Sequence, residues 1–314
     1  VAHVCGHDAH TAMLLGAARA LKQHENELEG RIILMFERGE EGGGNIAYLF
    51  KWLFDHQIHI DSTFAQHLVP LVPAGKISVV DGYLLAGSLS FSIKLHGRTA
   101  HGSEPYVGRS TIDCFAAIYG RLQEFRMKYA SPYVPMVFSM GQVHAGASYN
   151  SIPDNLECSG SFRVFDFEDG MRIKDKLIEV VTKTAGMYDC TADIDIMGPL
   201  PSVVNDHECV LMARNAFKAA LGSHVLMEMQ PQMNSDSHSL TINTWPGVYM
   251  MLGTRNEEKG MTATAHDPHF EPDESVFKLG AACHMAYAVG FLQNGPDTSG
   301  RVFNGTLKEV FRKY

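Results

Sequence analysis

The sequence predicts an α/β fold with a mainly parallel sheet, interrupted by an inserted α+β domain. Helices with apolar residues at helical spacing alternate with short apolar runs in both outer parts of the chain, which is typical of a parallel sheet covered by helices. Between these parts, Ser88–His96 alternates apolar and polar residues, which indicates a half-exposed antiparallel strand. The change of pattern near Gly87 therefore marks the start of the inserted domain.

The first α/β part covers residues 1–87 in this prediction. Its elements are a helix over 10–27 ended by Gly30, a buried parallel strand Arg31–Phe36, a helix over about 45–54 opened by Gly42-Gly43-Gly44, and a strand Ile77–Val80. The second part covers residues 197–294. It contains a helix over about 206–221, a buried strand Gly247–Leu252 and a closing helix over about 274–293. Residues 295–314 are predicted to be an appendage.

The inserted domain covers residues 88–196 in this prediction. Its elements are strand 88–96, a helix over about 111–128, strands 134–143 and 155–166, a helix over about 169–185 and a strand over about 190–196. This β-α-β-β-α-β order predicts a ferredoxin-like α+β sandwich.

Composition excludes several classes of protein. With 45% hydrophobic and 19% charged residues, the chain can form a core and is not a disordered or low-complexity chain. A net charge of −9 without a basic run argues against nucleic-acid binding, and we see no apolar run of membrane-spanning length, so no membrane partner is expected. Six irregularly spaced cysteines favour a reducing compartment, so we expect a cytoplasmic protein. Because the chain begins at Val1 with reactive side chains from Cys5 onward, we also expect upstream strands and any targeting segment to be missing.

Four short segments carry candidate metal donors. Cys5 and His7 are two residues apart, so on an extended segment they point to the same side. Glu40 and Glu41 follow the predicted strand that ends at Phe36, where open α/β sheets place their sites. Neighbours on an extended segment point apart, so one of the two would ligate metal and the other would face substrate. His67 stands among apolar residues, and His266 stands in a loop made rigid by Pro268.

Each segment alone has a simpler interpretation. Cys5 and His7 could be a buried thiol beside a surface imidazole, and Glu40-Glu41 a solvated acidic turn. His67 alone is more often a satisfied core residue. Together, however, one thiolate, three imidazoles and one carboxylate suit zinc and related ions, and five donors exceed the three that usually hold one catalytic ion. The set therefore predicts a bridged pair of ions.

Seven segments of the chain form an ordered set of motifs. They are His3-Val4-Cys5-Gly6-His7-Asp8-Ala9-His10-Thr11, Glu40-Glu41-Gly42-Gly43-Gly44, the His67 segment, Arg98-Thr99-Ala100-His101-Gly102, Asn150-Ser151-Ile152-Pro153-Asp154, Arg163 with Phe165-Asp166, and His266-Asp267-Pro268. In these motifs and in their order the chain resembles the M20 metallopeptidase family. The resemblance is to its amidohydrolase branch, which includes N-acyl-amino-acid, hippurate and auxin-conjugate hydrolases.

This resemblance implies roles for particular residues. Two divalent ions, Zn²⁺ or Mn²⁺ with Co²⁺ or Ni²⁺ as further options, would be held by Cys5, His7, Glu41, His67 and His266, with Cys5 bridging. Glu40 would be the general base. The inserted domain would be a dimerisation lid, whose His101 supports the oxyanion in the partner's site. Asn150 and Arg163 would hold the substrate carboxylate, although alone they suggest a turn-forming Asn and a surface charge.

The chain departs from the family pattern in three places. The upstream Asp-Met-Asp-Ala-Leu-Pro motif is absent. The usual Gln-Pro-Ala before the two glutamates is Glu37-Arg38-Gly39, and the usual Gly-Ala-Glu-Asp-Phe is Asn234-Ser235-Asp236-Ser237-His238.

The sequence thus predicts a homodimeric metal-dependent hydrolase. It would cleave N-acyl amino acids or small peptide-like amides through a hydroxide that bridges the two ions. Three alternatives remain: a non-catalytic dimeric metal-containing binding protein of the same fold, an aminopeptidase or carboxypeptidase acting on short peptides, and a hydrolase that uses Cys5 as its nucleophile.

Overall fold

The computed structural model describes residues 3–42 and 44–313. The chain forms two compact units. Unit 1 comprises the chain up to Leu84 together with Val203–Pro231 and Ser237–Lys313, and unit 2 comprises Leu85–Ser202 and Gln232–Asp236. The first two residues of the predicted first part, Gly43 of the predicted glycine turn and Tyr314 of the predicted appendage lie outside the described residues.

The elements are numbered in chain order. The helices are α1 His7–Gln23, α2 Ile46–Asp55, α3 Thr111–Gln123, α4 Phe125–Lys128, α5 Phe167–Met187, α6 His207–Leu221, α7 His238–Thr244, α8 Phe277–Asn294 and α9 Leu307–Lys313. The strands are β1 Thr63–Pro73, β2 Ile77–Ser78, β3 Gly82–Leu85, β4 Gly87–His96, β5 Ala100–His101, β6 Met136–Ala145, β7 Ser151–Ile152, β8 Asn155–Val164, β9 Thr191–Leu200, β10 Val203–Asn205 and β11 Gly247–Arg255.

Unit 1 is built on a three-stranded sheet of order β1-β11-β2. Strands β1 and β11 run parallel, with His67 beside Met251, whereas β2 pairs with β11 in the antiparallel direction. Helix α8 packs against α1, α6 and β1, and the core between them includes Met13, Phe217 and Leu252. One parallel and one antiparallel pair do not confirm a mainly parallel sheet.

The predicted strand Arg31–Phe36 is not a strand in the structure. The segment has no regular secondary structure, and we find no backbone hydrogen bond from it to any described residue. Its side chains are only partly buried, because residues 31–35 border a cavity of about 650 Å³ that α1, α8 and the start of β1 also line. An apolar run forms a strand only if a neighbouring strand provides backbone groups for hydrogen bonds, and the described residues provide none here.

The sequence missed β1, the longest strand of unit 1. Its sequence, TFAQHLVPLVP, contains two prolines and no regular alternation, yet its side chains are largely buried. Pairing with β11, which is buried along almost its whole length, explains why tertiary context overrides the local signal. The helix predicted over 111–128 is interrupted at Glu124, which separates α3 from α4.

Unit 2 contains a four-stranded antiparallel sheet of order β6-β8-β4-β9. Helices α3 and α5 pack on it, around a core that includes Phe91, Ile118, Phe162 and Leu177. Along the chain its main elements follow the predicted order β4-α3-β6-β8-α5-β9. That this unit is a dimerisation lid stays a prediction.

One helical segment, Glu274–Asn294, is long and apolar enough to cross a membrane by length and composition alone. A core helix passes the same test. Gly280, Cys283 and Tyr287 of this segment are buried in unit 1.

Candidate metal centre

The chain bends sharply between Cys5 and His7. Gly6 has a φ of 81°, in the left-handed region, and a Cβ added there would lie 2.8 Å from Leu68 Cδ1. Only glycine satisfies both constraints without strain. The prediction of an extended Cys5–His7 segment is therefore wrong, because Gly6 caps α1 and His7 begins that helix.

Cys5 meets His67 in spite of the long sequence separation. Cys5 Sγ lies 3.6 Å from His67 Nε2. The other ring nitrogen of His67, Nδ1, donates a hydrogen bond to the carbonyl oxygen of Leu68 at 2.7 Å. This bond fixes the tautomer of the ring and leaves the Nε2 lone pair directed at the cluster, as metal-ligating histidines require. His67 lies inside β1.

Glu40 and Glu41 lie on a 3₁₀ turn, Glu40–Gly42, and not on an extended segment. The expectation that they point apart is therefore wrong. Glu40 Oε2 and Glu41 Oε1 each lie 3.9 Å from His7 Nε2, because the tight turn directs both carboxylates toward the same imidazole.

His266 completes the group from the other end of the chain. Its φ of 68° is unusual for a residue with a side chain, and strain of this kind clusters at functional sites. Its backbone N–H donates to the carbonyl oxygen of Val4 at 2.7 Å, which joins the loop to the segment that carries Cys5. Its Nε2 lies 3.2 Å from Glu41 Oε1.

The five predicted donors form two overlapping groups, which we call the donor groups. Cys5, His7 and His67 make one, and Cys5, Glu41 and His266 make the other, with all donor atoms within 4.8 Å of one another in each group. His7, Glu40 and Glu41 form a third cluster of the same size, which overlaps both donor groups. Donors about 2.0–2.3 Å from a tetrahedral ion lie roughly 3.3–3.8 Å apart. The spacings within the donor groups, 3.6 Å between Cys5 Sγ and His67 Nε2 and 3.2 Å between Glu41 Oε1 and His266 Nε2, are close to this range. Cys5 is common to both donor groups, while His7 and Glu41 each join one of them to the third cluster.

His10 is a neighbour of the cluster to which the sequence analysis gave no role. Its ring centroid lies 4.6 Å from that of His67, and its Nε2 accepts a hydrogen bond from the Leu68 N–H. Burial, followed by the nearby rings of His67 and His7, lowers the pKa of His10 well below its ordinary value. His10 is thus a neutral support beneath His67. The sequence signal that could have identified His10 is its position three residues after His7, which places both side chains on the same face of α1.

A second half-buried imidazole, His284 on α8, predicts acid sensitivity of unit 1. Burial lowers its pKa to about 4. Because this value is below the unfolded value of about 6.5, the unfolded chain takes up the proton first, and stability is lost as pH falls from about 6.5 towards 4. We expect His284→Leu to reduce this loss by at most about 3 kcal/mol, measured by urea unfolding of metal-free protein at pH 7 and pH 4.5. Substituting the exposed His224 by Asn should leave the loss unchanged. An equal loss in wild type and His284→Leu would contradict the prediction.

Two predicted lid residues lie side by side in unit 2. His101 on β5 pairs with Ser151 on β7, and the Gly102 N–H donates to the Asn150 carbonyl oxygen at 2.8 Å. The His101 side chain is exposed, and its Nδ1 lies 2.7 Å from the Ser103 hydroxyl.

Arg163 lies elsewhere in unit 2, on β8, and is half-buried. Its pKa is lowered by burial. Its guanidinium donates a hydrogen bond to the Ser235 hydroxyl.

A family model described as peptidase family M20/M25/M40 matches residues 1–289 of the chain. The chain belongs to this family. The resemblance drawn from the motifs is thereby confirmed, and with it the prediction of a metal-binding family of hydrolases. The α/β fold is that of the M20 structures.

Three M20 relatives illustrate the range of the match. An IAA-amino acid hydrolase ILR1-like 4 from Arabidopsis thaliana is 33% identical over 92% of this chain, which spans 66% of the relative's length. Thermostable carboxypeptidase 1 from Saccharolobus solfataricus is 31% identical, over 93% of this chain and 74% of its own length. The crystal structure of the Bacillus subtilis YXEP protein, described as a dinuclear metal-binding peptidase, has a TM-score of 0.74 at 28% identity over 93% of this chain and 73% of its own.

Proposed function

We propose that this chain is a metal-dependent hydrolase of N-acyl amino acids or small peptide-like amides. The observation that carries the proposal is the convergence of Cys5, His7, Glu41, His67 and His266 with Glu40 inside unit 1. Two relatives are named as an IAA-amino acid hydrolase and a carboxypeptidase, and both names describe a bond to an amino acid, which supports this substrate class.

Two divalent ions, Zn²⁺ or Mn²⁺ with Co²⁺ or Ni²⁺ as further options, would occupy the two donor groups. His7 and His67 would hold one ion, Glu41 and His266 the other, and the Cys5 thiolate would contact both. Such ions lower the pKa of a bound water to near neutrality and polarise the substrate carbonyl.

Glu40 would move the proton in this reaction. Its Oε2 faces His7 at 3.9 Å, so a water attacking a carbonyl beside the donor groups is within its reach. We assign Glu40 as the general base that takes the water's proton and delivers it to the leaving nitrogen. The products are a carboxylic acid and a free amino acid.

The remaining predicted site residues would bind substrate. Arg163 would hold the substrate carboxylate through its guanidinium, with Asn150 as a further hydrogen-bonding group. His101 would donate a hydrogen bond to the oxyanion of the tetrahedral intermediate, acting from the partner in a homodimer formed through unit 2. In support of such an interface, β6 is an edge strand of the unit 2 sheet and exposes Val137 and Val143.

The test is an assay of purified, metal-loaded protein against a panel of N-acyl amino acids and short peptides. Elemental analysis accompanies it. We expect amide cleavage that chelation abolishes and divalent metal restores, with two ions bound per chain. Cleavage that survives chelation would favour Cys5 as the nucleophile. Two bound ions without turnover on any substrate would favour a binding protein.

Sharing of the site between two chains predicts recovery of activity in mixed dimers. His101→Ala and Glu40→Gln chains should each be inactive alone. If His101 serves the partner's site, a mixed dimer carries one site with both defects and one intact site. We therefore expect mixing and subunit exchange to restore up to about a quarter of wild-type activity for statistical dimer formation. The measurement is the rate of amide cleavage before and after exchange.

The matched control mixes Glu40→Gln with Glu41→Gln chains. Both of these residues lie in unit 1, so every site in the mixed dimer keeps one defect and no activity should return. If the His101→Ala mixture also stays inactive after proven exchange, His101 does not act from the partner.

A further inference from the structure

Glu40 uses its two carboxylate oxygens differently. Oε1 accepts a hydrogen bond from the backbone N–H of Ser237 at 3.1 Å, whereas Oε2 lies 3.9 Å from His7 Nε2. A carboxylate held by one oxygen has a fixed direction for the other. The Ser237 N–H therefore sets which oxygen of Glu40 faces the donor groups.

Ser237 is itself held by a third carboxylate. Its hydroxyl donates to Glu37 Oε2 at 2.7 Å, and the residue is only 9% exposed. Ser237 is the N-cap residue of α7, yet its side chain makes no capping bond to that helix. A serine at this position normally accepts a hydrogen bond from a helix N–H. Here the hydroxyl donates to Glu37 instead.

We infer that Ser237 is a positioning residue for Glu40 and that Glu37 anchors Ser237 in that role. The inference rests on the proposed function, in which Glu40 is the general base. Ser237 touches neither donor group in this assignment and acts only through Glu40. The competing explanation is that the Glu37–Ser237 bond merely holds α7 to the turn that carries Glu40.

The experiment compares Ser237→Ala with two matched variants. Ser237→Thr keeps the hydroxyl. Ser239→Ala removes a buried hydroxyl on the same helix for which the described residues provide no hydrogen-bond partner. We expect Ser237→Ala to lower kcat about tenfold with little change in KM or bound metal, since about one hydrogen bond is lost. Ser237→Thr should retain most of kcat, and Ser239→Ala should behave as wild type. Equal losses of kcat in Ser237→Ala and Ser239→Ala would overturn the inference in favour of packing.

A double-mutant cycle separates positioning from structure. Added to Glu40→Gln, Ser237→Ala should lower the residual rate less than twofold, because the group that it positions is already gone. A further tenfold loss in that background would overturn the inference. Full kcat in Glu40→Gln alone would instead overturn the assignment of the base in the proposed function, so the two failures are distinguishable.

Amide hydrogen exchange of metal-free protein provides a readout independent of turnover. The Ser237 amide should exchange slowly in wild type and faster in both Glu40→Ala and Glu37→Ala, with Ser239→Ala unchanged. An unchanged exchange rate in Glu40→Ala would show that the hydrogen bond does not hold Glu40, and would overturn the inference.

Discussion

Glu40→Gln is expected to keep the metal ions and to lower kcat by about 10²–10⁴-fold, the usual contribution of a positioned general base. Glutamine has nearly the same shape and can still accept the Ser237 N–H through its amide oxygen. It cannot take the proton from the attacking water. The measurement is single-turnover amide cleavage, together with elemental analysis of the same preparation.

Glu41→Gln is the natural comparison, because the two carboxylates are neighbours on one turn and both lie 3.9 Å from His7 Nε2. Glu41 also lies 3.2 Å from His266 Nε2, so its loss should release metal as well as activity. If Glu40→Gln lost as much metal as Glu41→Gln, the roles within the pair would have to be exchanged.

Cys5→Ala is expected to weaken binding of both ions. Cys5 belongs to both donor groups, whereas His67 and His266 each belong to one. His67→Ala and His266→Ala should therefore leave about one ion per chain, and Cys5→Ala should leave fewer. Because thiolate ligation contributes strongly to zinc affinity, we expect losses of at least about 100-fold in apparent affinity for each ion, measured by titration against a competing chelator.

The thiol control is Cys209→Ala. Cys209 is buried in unit 1 beside the Ser62 hydroxyl and belongs to neither donor group, so its loss should leave metal binding unchanged. A stoichiometry of one ion per chain in Cys5→Ala, equal to that of His67→Ala, would contradict a thiolate shared by both ions.

The sequence predicted those helices and strands that bury one face and expose the other, because such elements have a periodic pattern of apolar residues. The alternation in β4 and β8 and the helical spacing in α5 are visible in the sequence because one face of each element is buried and the other is not. Strand β1 was missed because burial on both faces removes that alternation. At Arg31–Phe36 a strand was predicted and did not form, because an apolar run cannot form a strand without a neighbouring strand to pair with.

The donor set was predictable because metal chemistry restricts the residue types that can serve. What the sequence could not show is how the donors approach one another. The left-handed conformation of Gly6 and the 3₁₀ turn at Glu40 replaced the extended geometry assumed for both segments. The Glu37–Ser237 bond was likewise invisible, because it joins residues 200 positions apart. Hydrogen bonds of this kind have no periodic signature in a sequence.

The hydrogen bond between His266 and Val4 has a consequence for stability. An ion held by both Cys5 and His266 would be a cross-link that closes a loop over most of the chain, and such closures remove many conformations from the unfolded state. All five donors belong to unit 1, so ligand-linked stabilisation would act on that unit alone. In a calorimetric scan, chelation should therefore lower the melting temperature of one transition and leave a second in place, which would make metal occupancy a thermal marker for unit 1.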